Sequence, residues 1–257
     1  MRNRIVEIPT PDGAMDTFIT RPEEGGPFPA VVVFMDIWGV REELFEIARR
    51  IGTVGYYCMV PDLYHRQGGI RYEYRDADNR MISLNRLDEA RFNEILATRG
   101  GLTGAMIVED TGALIDFIDD GEPASTDAMG SVGYCMGGQY VLLAAANYSD
   151  RFKASASLHG TNLVTDEDDS THLLAPKFRG ELYCGFGAND PYTPPQVIDA
   201  LEDALGGEPV GYRCEIHPNA DHGYALPDRD VFDPHAAARD WELIFAMFRR
   251  QLPLGDA

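Results

Sequence analysis

The sequence predicts an α/β protein with a mainly parallel, doubly wound sheet flanked by helices, and three observations point there. Short apolar runs of strand length recur at residues 29–35, 56–60, 131–134, 154–158, 182–186 and 212–217. Stretches of helical period separate them, at 42–51, 107–118, 195–205 and 236–252, which is the alternation a parallel sheet needs. The strongest run, Pro29-Ala-Val-Val-Val-Phe-Met35, is apolar at consecutive positions, as expected of a strand buried on both faces.

In chain order, residues 4–8 and 15–20 flank Pro11-Asp12-Gly13, a turn signal, and read as an antiparallel hairpin at a sheet edge. The 29–35 strand leads into Asp36-Ile37-Trp38-Gly39, and the 56–60 strand into Pro61-Asp62-Leu63-Tyr64. From about 65 to 105 the periodicity loosens into arginines and tyrosines among acidic residues, which reads as a lid-like excursion over one sheet edge. Periodicity resumes at 107, and the remaining strands and helices follow at regular spacing. There is no internal repeat, and the 257 residues are expected to form a single domain, residues 1–257.

Composition narrows the function. A formal charge of -20 with no basic stripe argues against nucleic acid or an anionic membrane as partner. No run of about twenty apolar residues could span a bilayer, and the first residues lack a secretory signal, so a cytoplasmic location is the expectation. Lysine occurs only at 153 and 177, a coding bias without functional weight. The four cysteines, at 58, 135, 184 and 214, are too scattered for a disulfide framework or a zinc site. The acidic run Asp166-Glu167-Asp168-Asp169 lacks the spacing and glycine of a calcium loop and reads as a solvated linker. No metal is expected.

Cys135 stands apart from the other thiols. It lies in Gly133-Tyr134-Cys135-Met136-Gly137-Gly138, between a strand and an alanine-rich helix, the layout of a nucleophile elbow with sulfur in place of a hydroxyl. Such a turn forces the nucleophile into a strained conformation, and glycines two before and two after it let neighbouring backbone approach. The helix start directs free amides and its positive dipole end at the sulfur, favouring thiolate. The plain alternative is a small buried core residue, so partners have to be found.

In an open parallel sheet, reactive groups gather just past the C-terminal ends of the strands. Here those positions hold Asp36, Asp62, Cys135, His159, Asp190 and either His217 or His222. A thiol at pH 7 is only a few per cent ionised, about the level at which a neighbouring imidazole becomes necessary. His217 ends a strand and can simply cap it, whereas His222 sits in a following turn able to reach over the elbow, which favours His222. His159 could line the pocket or be structural. Asp190, in a proline-rich turn after a strand, is the carboxylate to fix the histidine tautomer, although an Asx turn explains it equally well in isolation.

These residues carry a family resemblance. Met35-Asp36-Ile37-Trp38-Gly39-Val40, Pro61-Asp62-Leu63-Tyr64-His65-Arg66-Gln67, the Cys135 block, residues 187–194 and His217-Pro218-Asn219-Ala220-Asp221-His222 together resemble the dienelactone hydrolase family. The resemblance implies an α/β-hydrolase fold, a Cys135, His222, Asp190 triad, no cofactor, and hydrolysis of a lactone or activated ester through a thioester. It also implies an oxyanion hole at the backbone amides of Ile37 and Met136. In the family a glutamate at the Asp36 position helps deprotonate the cysteine once substrate frees it from an arginine four residues beyond the histidine. This chain has the shorter Asp36 and, at that arginine's place, Leu226, so either the thiol is activated without the switch or another arginine substitutes. Arg75 or Arg80 in the excursion could supply a cation for a substrate carboxylate. The same departures keep a second expectation open, that of a binding protein, isomerase or acyltransferase on the same fold.

Overall fold

A computed structural model of the chain describes residues 1–208 and 210–254. Eight strands are present among them: β1 (Arg2–Thr10), β2 (Gly13–Arg21), β3 (Phe28–Phe34), β4 (Tyr57–Pro61), β5 (Ala124–Tyr134), β6 (Phe152–Leu158), β7 (Glu181–Gly187) and β8 (Gly211–His217). They form one sheet in the order β1-β2-β4-β3-β5-β6-β7-β8. The β1–β2 hairpin turns at the predicted Pro11–Gly13 signal and occupies one edge, and β2 joins β4 antiparallel. All strand pairs from β4 across to β8 are parallel. The continuous apolar run of β3 is buried at every position, as a central strand covered on both faces has to be.

Six α-helices accompany the sheet among the described residues: α1 (Glu42–Gly52), α2 (Glu89–Gly100), α3 (Gly104–Asp119), α4 (Met136–Asn147), α5 (Pro195–Leu205) and α6 (Pro234–Gln251). α4 packs on β5 and β6 and against α3. It is buried over almost its whole length, which explains its small alanine and glycine side chains. α1 and α6 meet through Arg50, whose guanidinium lies 4.6 Å from the Trp241 ring centroid.

Two elements differ from expectation. The predicted strand 131–134 is the end of a longer one: β5 starts at Ala124 and passes a register shift at Met129/Gly130 before entering the elbow. The excursion at 65–105 contains α2, capped by the Asp88 side chain, which accepts from the Arg91 amide. Only Ile95 of that helix is buried, so no apolar stripe announces it in the sequence.

The strand order fixes where a site can form. From β3 the chain winds outward to β4 on one side, and from β5 it winds to β6, β7 and β8 on the other, so the order reverses between β3 and β5. A crevice opens at such a reversal, outside the C-terminal strand ends. Asp36 and Ile37 leave β3 there, and Cys135 leaves β5.

Candidate active site

Cys135 adopts φ 55° and ψ -118°, a conformation that costs a non-glycine residue of order 1–3 kcal/mol and persists only where the surroundings enforce it. They do so from three sides. The Cys135 carbonyl accepts from the amides of Gly138 and Thr161, both at 3.0 Å, and its own amide lies 3.1 Å from the Leu158 carbonyl and 3.2 Å from His159 Nδ1. A Cβ on Gly133 would collide with the backbone of Gly137, and one on Gly137 would come within 2.6 Å of the carbonyls of Phe34 and Met35. Close approach of β3, β5 and α4 therefore requires both glycines of the G-x-C-x-G pattern.

His222 and Asp190 reach this point on two loops that are stitched together. The Asn189 amide donates to the Ala220 carbonyl at 3.0 Å, and the Ala188 amide to His217 at 2.9 Å. Asp190 Oδ1 accepts from the Tyr192 amide at 2.8 Å, and its Oδ2 lies 2.7 Å from His222 Nδ1. A carboxylate facing Nδ1 puts the proton on that nitrogen and leaves Nε2 for the pocket. Burial pulls the His222 imidazole down, but the adjacent Cys135 sulfur and the Asp190 carboxylate outweigh it and lift its pKa to about 9. The Tyr192 and His159 rings hold the imidazole edge-on, with centroids at 4.7 and 5.0 Å.

The two histidines left open by the sequence have other partners. His217 Nε2 lies 2.7 Å from Asp240, a fully buried carboxylate that also accepts from Tyr183 and Tyr224. His159 is fully buried behind Cys135, and burial, with His222 and Arg229 nearby, holds its pKa well below the usual histidine value.

The amides of Ile37 and Met136 donate to no protein group among the described residues. The Gly39 amide donates to the Asp36 carbonyl at 3.3 Å and the Tyr64 hydroxyl to the Ile37 carbonyl at 3.0 Å, so the peptides on both sides of Ile37 are fixed. With Cys135, His222, Trp38 and Tyr192, these two residues line one cavity of about 150 Å³.

Asp36 is fully buried and already ion-paired. Arg41 donates to its two oxygens from Nη1 and Nη2, at 2.7 and 3.0 Å, and to Asp228 from Nε and the same Nη2, at 2.6 and 3.1 Å. Arg229 approaches Asp36 at 3.6 Å, stacks 5.0 Å from the Trp38 centroid, and keeps a buried Nε without a partner. Burial pulls its guanidinium below the usual arginine range. Arg229 and Arg99 line the cavity, the latter donating to Gln139 at 3.3 Å. Neither was singled out in the sequence. Arg75 and Arg80, which were, do not line it. A signal existed for Arg229: it lies seven residues beyond His222, near the place where Leu226 stands. His65 and Arg66 gather instead around the buried Asp110.

No group of three or more metal-binding side chains occurs among the described residues, and no described helix is long and apolar enough to cross a membrane.

The sequence profile of the dienelactone hydrolase family matches residues 15–252. A protein of Methylorubrum extorquens named "Putative carboxymethylenebutenolidase" is 27% identical over 95% of this chain and 80% of its own length. Among solved structures, one from Klebsiella pneumoniae titled "Putative Dienelactone Hydrolase" superposes with a TM-score of 0.82 at 23% identity, covering 97% of this chain and 98% of that one. A dienelactone hydrolase-like promiscuous phosphotriesterase from metagenomic libraries gives 0.77 at 20% identity, with 98% of each chain covered. At these identities the structures speak for the α/β-hydrolase fold alone.

Proposed function

The chain belongs to the dienelactone hydrolase family, and from that premise we propose that it hydrolyses a lactone or activated carboxylic ester through a thioester on Cys135. The observation that carries this reading is the convergence of Cys135, the Asp190-held His222 and two undonated amides on one cavity.

The reaction follows from the positions. The Cys135 thiolate adds to the carbonyl carbon, and the developing oxyanion accepts from the Ile37 and Met136 amides. Each such donor is worth about 3 kcal/mol of barrier. Imidazolium His222 passes its proton from Nε2 to the departing oxygen, and the thioester remains. Neutral His222 then takes a proton from water, hydroxide adds to the thioester carbonyl, and the carboxylic acid leaves with the sulfur restored as thiolate. Asp190 keeps Nδ1 protonated throughout.

Asp36 takes a different part from that implied by the family. Its carboxylate accepts two hydrogen bonds from Arg41, so it anchors charge, and thiolate formation falls to His222 and the start of α4. Arg229 then need not neutralise Asp36 by itself, and with Arg99 it gives the wall of the Cys135 cavity two cations. A substrate whose acyl part carries a carboxylate suits that wall.

Turnover of p-nitrophenyl acetate and of enol lactones tests the reading. Wild-type protein should hydrolyse both and lose activity in proportion to iodoacetamide incorporated. Full turnover by Cys135→Ala would refute it.

A further inference from the structure

Behind His222 lies a second cavity, of about 300 Å³, that the reaction as described does not use. It shares a wall with the first: Leu84, Tyr192, His222 and Arg229 line both, whereas Cys135 and the Ile37 and Met136 residues line only the first. His222 is thus the one member of the Cys135, His222 and Asp190 set that borders both chambers. The first holds sulfur and oxyanion donors, so the acyl group belongs there. A proton delivered from the imidazole goes to the ester oxygen that leaves, and whatever that oxygen carries extends past the ring. The second chamber is the space available to it.

The lining of this chamber differs in character. Asn85, Asn189 and Asp221 border it; the two asparagines are exposed and Asp221 half-buried, and their side chains make no hydrogen bond or ion pair to protein among the described residues. The roof is the short turn Leu84–Arg86 of the excursion, and it is latched. Asp230 accepts from the Ser83 amide at 3.1 Å, the Ser83 hydroxyl at 2.6 Å and Arg86 at 2.9 Å. Backbone bonds of 2.7 and 3.1 Å tie Met81 to Asp228 and Asp230 beside it. The chamber is therefore bounded on that side by fixed backbone. It presents two amide side chains and one carboxylate with hydrogen-bonding capacity to spare, a set that accepts hydroxyl protons and returns amide protons to hydroxyl oxygens.

Resting on the hydrolase reading, we propose that this second chamber is a leaving-group subsite and that the substrate is an ester whose alcohol or enol part carries hydroxyl groups. Asp221 and the two asparagines recognise those hydroxyls, and the apolar wall of Leu84 and Tyr192 guides the chain between them past His222. A site with unpaired polar groups disfavours an apolar isostere, because binding it strips water from Asp221, Asn85 and Asn189 without replacement.

Two phenyl acetates of matched leaving-group acidity provide the test, one bearing two hydroxymethyl groups meta to the ester oxygen, the other two ethyl groups. The hydroxymethyl ester should show kcat/KM higher by about tenfold or more, mostly through a lower KM. Asn85→Ala, Asn189→Ala and Asp221→Ala combined should bring the ratio toward unity, and exposed Asn85→Leu alone should lower it. Equal kcat/KM for the two esters in the wild type, or a ratio unmoved by these substitutions, overturns the subsite while leaving the Cys135 chemistry standing. Failure to hydrolyse either phenyl acetate, together with failure on p-nitrophenyl acetate, overturns the hydrolase reading and this inference with it.

Discussion

At the residue scale the chemistry depends on charge held in largely buried surroundings. His222 has a folded pKa of about 9, above the ordinary histidine value of about 6.5. A raised pKa means that protonated His222 stabilises the fold fully below about 6.5, and that this contribution fades as pH climbs through about 9. Thermal melts should accordingly lose stability across that window, and acylation should fall above it as the imidazolium proton needed by the leaving oxygen disappears. Much of the elevation comes from the sulfur, so Cys135→Ala should lower the His222 pKa, readable by NMR titration of the ring. An unchanged value would mean that the sulfur does not pair with the ring. Asp190→Asn should cost kcat on the order of 10³-fold or more, because the amide permits the wrong tautomer.

Arg41 illustrates a residue that no sequence pattern exposes. Its partner Asp228 lies 187 positions away, and only folding reveals that Arg41 is shared between Asp36 and Asp228 while Arg229 also approaches Asp36. Arg41→Met leaves two carboxylates with one poorly placed cation, and a loss of about 3–5 kcal/mol is expected in denaturant unfolding. By contrast Cys135, His222 and Asp190 could be found from the sequence, since each follows the C-terminal end of a strand with the composition of a turn. Arg99 could not, because an arginine on a surface helix looks the same whether it faces solvent or a cavity, and the one hint for Arg229 was its place seven residues beyond His222.

At the scale of elements, the elbow depends on three segments approaching more closely than side chains allow. Gly133→Ala places a methyl group against the backbone at the start of α4. The helix and strand cannot both keep their places, so a destabilisation of about 1–3 kcal/mol or more is expected, with activity falling further than stability because the Met136 amide moves. The parallel strands were legible because burial on both faces leaves only apolar residues in them. α2 was not, since it lies on the surface with one buried residue and its only announcement is the Asp88 cap. The first half of β5 escaped for a similar reason: Ala124–Asp127 is largely polar and joins β3 before the register shift.

For the whole molecule, the formal charge of -20 opposes the approach of an anionic substrate, while Arg99 and Arg229 attract it once inside. The two effects have different reach. Added salt screens the long-range repulsion, whose Debye length is about 10 Å at 0.1 M, more than it weakens a contact in a partly closed cavity. For a carboxylate-bearing ester, kcat/KM should therefore rise as salt increases from about 0.01 to 0.1 M, and for a neutral ester it should stay flat. A fall for the anionic ester would show that direct pairing with the two arginines dominates.

The chemistry itself is tested most directly by trapping the intermediate. Protein mixed with an activated acetate ester, quenched in acid within the first turnover and digested, should yield one acetylated peptide, carrying the label on Cys135. His222→Ala should retain whatever label forms, because water is no longer activated. Label on another residue, or undiminished hydrolysis by Cys135→Ala with no label on any peptide, would contradict a thioester at this elbow.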